Sequence, residues 1–209
     1  MTLKKLIHIL LVIVFFQVLF FCKKDEGHKN INVEVNNDFY LGADLSYVNE
    51  MEDCGAIYKN LNNLETDVFQ IFESAGANLI RVRLWHNPSW TNYSNLEDVI
   101  KTIQRAKDKN MSVLLDFHYS DTWADPSQQE IPSAWESNLN NDSLLADMLY
   151  NYTYSILRTL DSLELSPKIV QIGNEINPMI LQKGTLQWPI NWTRNSLLLN
   201  KGIEAVRNF

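Results

Sequence analysis

Four short, largely apolar stretches each run into groups that could do chemistry. The last of them, Lys168-Ile169-Val170-Gln171-Ile172-Gly173-Asn174-Glu175, ends in a glycine, a carboxamide and a carboxyl group. The earlier ones finish on Asp44 and Ser46, on Arg83 and Trp85 with His86, and on Asp116, His118 and Tyr119. A carboxyl group at the carboxyl end of a buried parallel strand sits where such folds place their chemistry, although Glu175 could equally cap the next loop or helix. Arg81 and Arg83 alternate to one strand face, and Arg83 lies nearer the strand end. It is therefore the better placed to hold carboxylates ionised near the site, or else to anchor an ion pair in the core. Asp116 and His118 likewise share a face. No cluster of histidines and carboxylates at familiar ligand spacing accompanies His118, so it reads as a hydrogen-bonding group toward a substrate or a catalytic carboxylate, not as a metal ligand.

All six tryptophans fall between Trp85 and Trp192, and five of them (Trp85, Trp90, Trp123, Trp188 and Trp192) lie in or beside the loops that follow these stretches. Aromatic side chains there either pack the core or offer faces for the apolar C–H side of a sugar ring. Asp125, between Ala124 and Pro126, is placed to bind sugar hydroxyls or to cap a turn. Cleaving a glycoside needs one carboxyl group that donates a proton to the leaving oxygen and a second, ionised one across the ring. Glu175 suits the donor, since burial among aromatic residues would raise its pKa and keep it protonated near neutral pH. Asn174 beside it could donate to a substrate hydroxyl.

Elements of alternating type must position these groups. The first strand covers Phe39 to Ser46, and Met51 to Asn63 reads as irregular. Thr66 is the expected cap of a helix with Val68, Ile71, Phe72 and Ala75 on one face, stopped by Gly76. A second strand, Asn78 to Trp85, ends before Pro88, which lacks a ladder amide. Asn95 opens a helix with Leu96, Val99, Ile100 and Ile103 on one face, ended by Asn110, and a third strand spans Ser112 to Tyr119. A loop from Ser120 to about Asn141 is long enough to expect function in it. A helix capped at Asn141 or Asp142 then carries Leu145, Met148, Leu149, Tyr152, Ile156, Leu160 and Leu163, and after the fourth strand an amphipathic helix begins near Asn195. Strict β-α alternation calls for an α/β fold with a parallel sheet. No glycine-rich phosphate loop follows any strand, which argues against a nucleotide-binding doubly wound sheet and for a (β/α)8 TIM barrel. A full barrel takes about 250 residues, so residues 38–209 read as its first four β-α units, a truncated barrel.

The chain has 209 residues with 18 basic and 25 acidic side chains, a formal charge of −7, and no basic stripe, which excludes a nucleic-acid surface built on clustered Lys and Arg. Residues 1–22 read as an export signal: Lys4 and Lys5 precede an apolar run from Leu6 to Phe21. Leu19-Phe20-Phe21-Cys22 resembles a bacterial lipobox, with Phe21 where a small residue is usual, and makes Cys22 the expected lipidation site. Residues 23–37 are polar and read as a flexible tether. The expected location is the cell envelope or surface, or otherwise secretion, with membrane contact through the lipid alone. Cys54, the other cysteine, reads as a small buried apolar residue.

The stretches Gly42-Ala43-Asp44-Leu45-Ser46, Arg81-Val82-Arg83-Leu84-Trp85 with Asn87-Pro88, Leu115 through Pro126, and Val170-Gln171-Ile172-Gly173-Asn174-Glu175-Ile176-Asn177 resemble the glycoside hydrolase family 53 endo-β-1,4-galactanases. The resemblance runs from about Tyr40 to Phe209. It implies a retaining (β/α)8 glycosidase that cuts β-1,4-galactan, as in type I arabinogalactan, with Glu175 as acid/base supported by Arg83, His118 and Asn174. Asp44, Trp85, Tyr119, Trp123 and Asp125 are the implied substrate-binding residues. It also implies a nucleophile on a seventh strand that this chain does not reach, so the chain is expected to lack activity alone. No cofactor is expected within the chain, and any calcium would belong to later loops. The alternatives are a galactan-binding surface lipoprotein without catalysis, or a related barrel hydrolase acting on β-mannan or β-glucan.

Overall fold

A computed structural model describes residues 39–209, which form one unit. The export signal, Cys22 and the tether lie outside the described residues. Four strands, β1 (Gly42–Asp44), β2 (Leu79–Leu84), β3 (Ser112–Phe117) and β4 (Ile169–Ile172), form a single sheet in the order β1-β2-β3-β4. Every pairing is parallel, with Asp44 opposite Arg81, Arg83 opposite Asp116, and Asp116 opposite Gln171. A doubly wound sheet reverses its strand order at a switch point, whereas this order runs on in one direction. Right-handed crossovers that always step the same way put the helices on one face of the sheet. That is the arrangement of four consecutive units of a barrel.

Burial follows the two faces. Ile80, Val82, Leu84, Val113, Leu115 and Phe117 point to the helices and are 0–4% exposed. The opposite, inner row begins half-buried at Leu79, Arg81, Ser112 and Leu114. Against the outer face pack α2 (Val68–Ser74), α3 (Leu96–Lys107), α4 (Asp142–Ser162) and α5 (Trp192–Asn208). Local chemistry starts three of these where sequence rules put a cap: the side chains of Asn95, Asn141 and Asn191 accept from the backbone N–H of Asp98, Leu144 and Arg194. The cap at Asn191 begins α5 at Trp192, ahead of the expected Asn195.

Three local expectations are corrected. Asp67, not Thr66, caps α2 by accepting from Phe69 N and Gln70 N, and this turns Val68 and Phe69 inward while Ala75 faces solvent. Overlapping the start of the stretch read as irregular, Val48–Asp53 forms a further helix, α1. It is six residues long with no side-chain cap, so nothing local announces it. Polar contacts from α3 hold it instead: Asn49 Nδ2 donates to Asp98 and Thr102 at 2.7 and 2.8 Å, and Arg105 reaches Glu52 at 2.7 Å. Cys54, expected inside, is exposed just after α1.

Helix α5 packs tightly against the end of β4 at Gly202. A Cβ there would lie 2.6 Å from Ile172 Cγ2 and 3.0 Å from Leu149 Cδ2. Ile172 is the last residue of β4, three before Glu175, so this packing sets the height of the strand that carries Glu175. Gly202→Val is expected to destabilise the fold by about 1–3 kcal/mol through overpacking, outweighing the helix propensity that it gains. Urea unfolding followed by circular dichroism measures the loss, and an unchanged midpoint would show that α5 can shift freely.

Candidate active site

The four strand ends meet on Arg81. Its guanidinium pairs with Asp44 of β1, donates to Asp116 Oδ2 of β3 at 2.5 Å, and donates to Asn174 Oδ1 beyond β4 at 2.8 Å. Asp116 is fully buried, whereas the Asp44 side chain is 41% exposed. Partial burial works to raise the Asp44 pKa, but hydrogen bonds from Ser46 and Arg81 outweigh it and hold the carboxyl below the usual carboxylate range. Sequence alternation put Arg81 and Arg83 on one face but chose the wrong member for this role. The lower of the two reaches across the curved sheet, because the residues above it are roofed by the following loops.

Asn174 is fixed at both ends of its carboxamide. Besides the bond from Arg81, its Nδ2 donates to the carbonyl of Ala124 at 2.8 Å, tying the end of β4 to the loop after β3. Gln129, buried in that same loop, donates to the carbonyls of Asn174 and Glu175 at 3.0 and 3.3 Å. Gln129 is a residue that sequence reasoning missed, since a lone glutamine in a loop carries no pattern. The chain turns sharply here: Gly173 has φ +86° and Glu175 has φ +46°. A left-handed φ costs a residue with a Cβ about 1–2 kcal/mol, and the bonds to Asn174 and Gln129 hold it in place. The turn leaves Glu175 exposed. The aromatic enclosure expected around it is absent among the described residues; Trp85, Trp90 and Trp123 cluster with one another instead, and Trp188 and Trp192 are exposed.

Arg83, expected beside Glu175, is instead 3% exposed. Its guanidinium carbon lies 4.6, 4.3 and 4.2 Å from the ring centroids of Tyr47, Trp85 and Trp123, and Nε and Nη2 donate to Ser94 Oγ. His118 is also buried. Its Nδ1 accepts from Ala124 N at 3.2 Å, and Nε2 lies 3.0 Å from Asp116 Oδ2 but off the line of a hydrogen bond. His118 therefore supports the Trp123–Ala124 segment from below. Among the described residues, no group of three His, Cys, Asp or Glu is arranged to hold a metal ion.

The expected sugar-binding residues separate in the structure. Trp123 is half-buried at the rim, with its ring 5.7 Å from that of Trp85. Trp85 itself is 1% exposed and offers no free face, so it acts as packing for its neighbours. Tyr119 points the other way, contrary to expectation. At φ +50° its chain leaves β3, the ring stacks on Phe117, and the hydroxyl meets Thr153 Oγ1 of α4 at 2.8 Å. Its burial, which pushes the phenol pKa up, takes it out of substrate reach. Asp125 caps a turn: Oδ1 accepts from Ser127 N at 2.7 Å and Gln128 N at 3.0 Å. Trp90, Trp188 and Trp192 are exposed.

The sequence model of Glycosyl hydrolase family 53 matches residues 40–209. An arabinogalactan endo-beta-1,4-galactanase of Cellvibrio japonicus (strain Ueda107) is 54% identical over 182 residues, covering 86% of this chain and 48% of the relative. An endo-beta-1,4-galactanase of Bacillus subtilis (strain 168) is 38% identical, over 90% of this chain and 42% of its own length. Among solved structures, the Ignisphaera aggregans GH53 catalytic domain superposes with a TM-score of 0.73 at 36% identity, covering 82% of this chain and 48% of that one. The chain spans about half the length of the curated relatives it matches.

Proposed function

The chain belongs to glycosyl hydrolase family 53, and from that premise we propose that the protein is an endo-acting hydrolase of β-1,4-galactan that retains anomeric configuration. The observation that carries this reading is the end of β4, where Asn174 is locked by Arg81 and Ala124 while the adjacent Glu175 carboxyl is left free at the strand's carboxyl end. Glu175 protonates the departing glycosidic oxygen and later takes a proton from the attacking water. A retaining mechanism places the second carboxylate about 5–5.5 Å away. Asp44 and Asp116 are both engaged by Arg81, and the family resemblance puts the nucleophile on a later strand, outside the described residues. The names printed for the relatives support galactan as the substrate.

The same engagement of Asp44 and Asp116 favours a second reading, galactan binding without cleavage. Incubation with β-1,4-galactan, β-mannan and β-glucan separates the possibilities. From a protein of the relatives' full length, which carries the second carboxylate, new reducing ends from galactan alone are expected. Saturable binding without reducing ends points to the non-catalytic reading, and turnover on mannan or glucan in preference to galactan overturns the substrate. We further propose display at the cell surface through a lipid on Cys22, which the mass of the mature N-terminus tests.

A further inference from the structure

Arg83 is a buried cation whose guanidinium meets no carboxylate among the described residues, since Asp44 and Asp116 pair with Arg81. Its environment is three aromatic rings at 4.2–4.6 Å and one serine hydroxyl. A guanidinium is attracted to the negative face of a ring, most strongly where water is excluded. Arg83 therefore fixes one face each of Tyr47 and Trp123. Trp85 and His118 also pack near Trp123, each with its ring centroid 5.7 Å away, yet part of both rings stays open: Tyr47 remains 45% exposed and Trp123 half-buried, with their centroids 6.1 Å apart and their planes 38° from each other. Trp123 directly precedes Ala124, whose carbonyl accepts from Asn174. The two rings thus form a shallow ledge running from the Asn174–Glu175 strand end toward the end of β1.

Resting on the galactan reading above, we propose that Tyr47 and Trp123 form a sugar-stacking subsite, with Arg83 as the positioning residue that holds both rings from beneath. The axial 4-hydroxyl of a galactosyl unit leaves H3, H4 and H5 together on one side of the ring. That apolar patch matches an aromatic face and needs no hydrogen bond from the tyrosine hydroxyl. Tyr47 is the outer member, so it contributes to binding of longer oligosaccharides without touching the bond that is cut.

Titration calorimetry of the full chain with β-1,4-galactotetraose tests this. Tyr47→Ala is expected to weaken binding about tenfold, and Tyr47→Phe, which keeps the ring and loses the hydroxyl, is expected to restore it to within about twofold. Tyr47 also covers Arg83, so circular dichroism of Tyr47→Ala checks that the fold is kept, and Tyr47→Phe retains that cover. Binding by the unsubstituted chain that is unaffected in Tyr47→Ala overturns the ledge and leaves the galactanase reading intact. Failure of Tyr47→Phe to restore affinity also overturns it, since the stacking face would then not be what binds. No binding by the unsubstituted chain overturns the ledge, and galactan turnover by a protein of the relatives' full length decides the galactan reading separately.

Discussion

In a protein of the relatives' full length, which supplies the second carboxylate, Glu175→Gln is expected to lower kcat on β-1,4-galactan by about 10²–10⁴-fold, the usual contribution of a positioned general acid, with little change in affinity for galacto-oligosaccharides. The amide has the shape of the carboxyl group but no proton to give to the leaving oxygen, and it cannot later deprotonate a water. Little else should change. Glu175 is exposed, its left-handed backbone is held through its carbonyl by Gln129, and its side chain is free of hydrogen bonds among the described residues. A substrate with a good leaving group does not need protonation. Its cleavage step should therefore survive in Glu175→Gln, which a general loss of folding would not allow. Steady-state rates on galactan and on an activated aryl galactoside measure both effects. Equal turnover of galactan by the two proteins would remove Glu175 from the acid/base role.

Arg81→Leu is expected to cost about 3 kcal/mol of stability, the lower end of the range for stranding one member of a buried ion pair. The lower end applies because the Arg81 side chain is itself 31% exposed and its bond to the exposed Asp44 is worth little. Asp116 is the member left stranded. It is 0% exposed, opposite Arg83 in the ladder, and its Oδ1 already lacks a hydrogen-bond partner. Adding Asp116→Asn in the same chain removes the stranded charge, so the double variant should be more stable than Arg81→Leu alone. Urea unfolding of the two single variants and the double completes a mutant cycle. An Arg81→Leu loss below about 1 kcal/mol would mean that the strand ends are held by packing rather than by this network.

The two arginines show where sequence reading stops. Alternation along β2 correctly put both on the inner face, but it cannot say how far loops from other strands lean over that face. The loops after β1 and β3 bring Tyr47 and Trp123 onto Arg83 and seal it, which leaves Arg81 to join Asp44, Asp116 and Asn174. Tyr119 makes the same point with the opposite sign. As a polar aromatic just past a strand it looked like a sugar ligand, and a positive φ turned it under α4.

Determined by the sequence alone were the β-α alternation, the asparagine caps that start α3 and α4, the residues facing the helix layer, and Glu175 at a strand end. These rest on local periodicity and capping chemistry, which act over a few residues. Tertiary structure decided the sequential strand order, the short helix α1, the burial of Arg83, the outward turn of Tyr119 and the exposure of Glu175. Each of these depends on contacts between residues tens of positions apart, whose free energies are set by which groups the fold brings together and which it leaves in water.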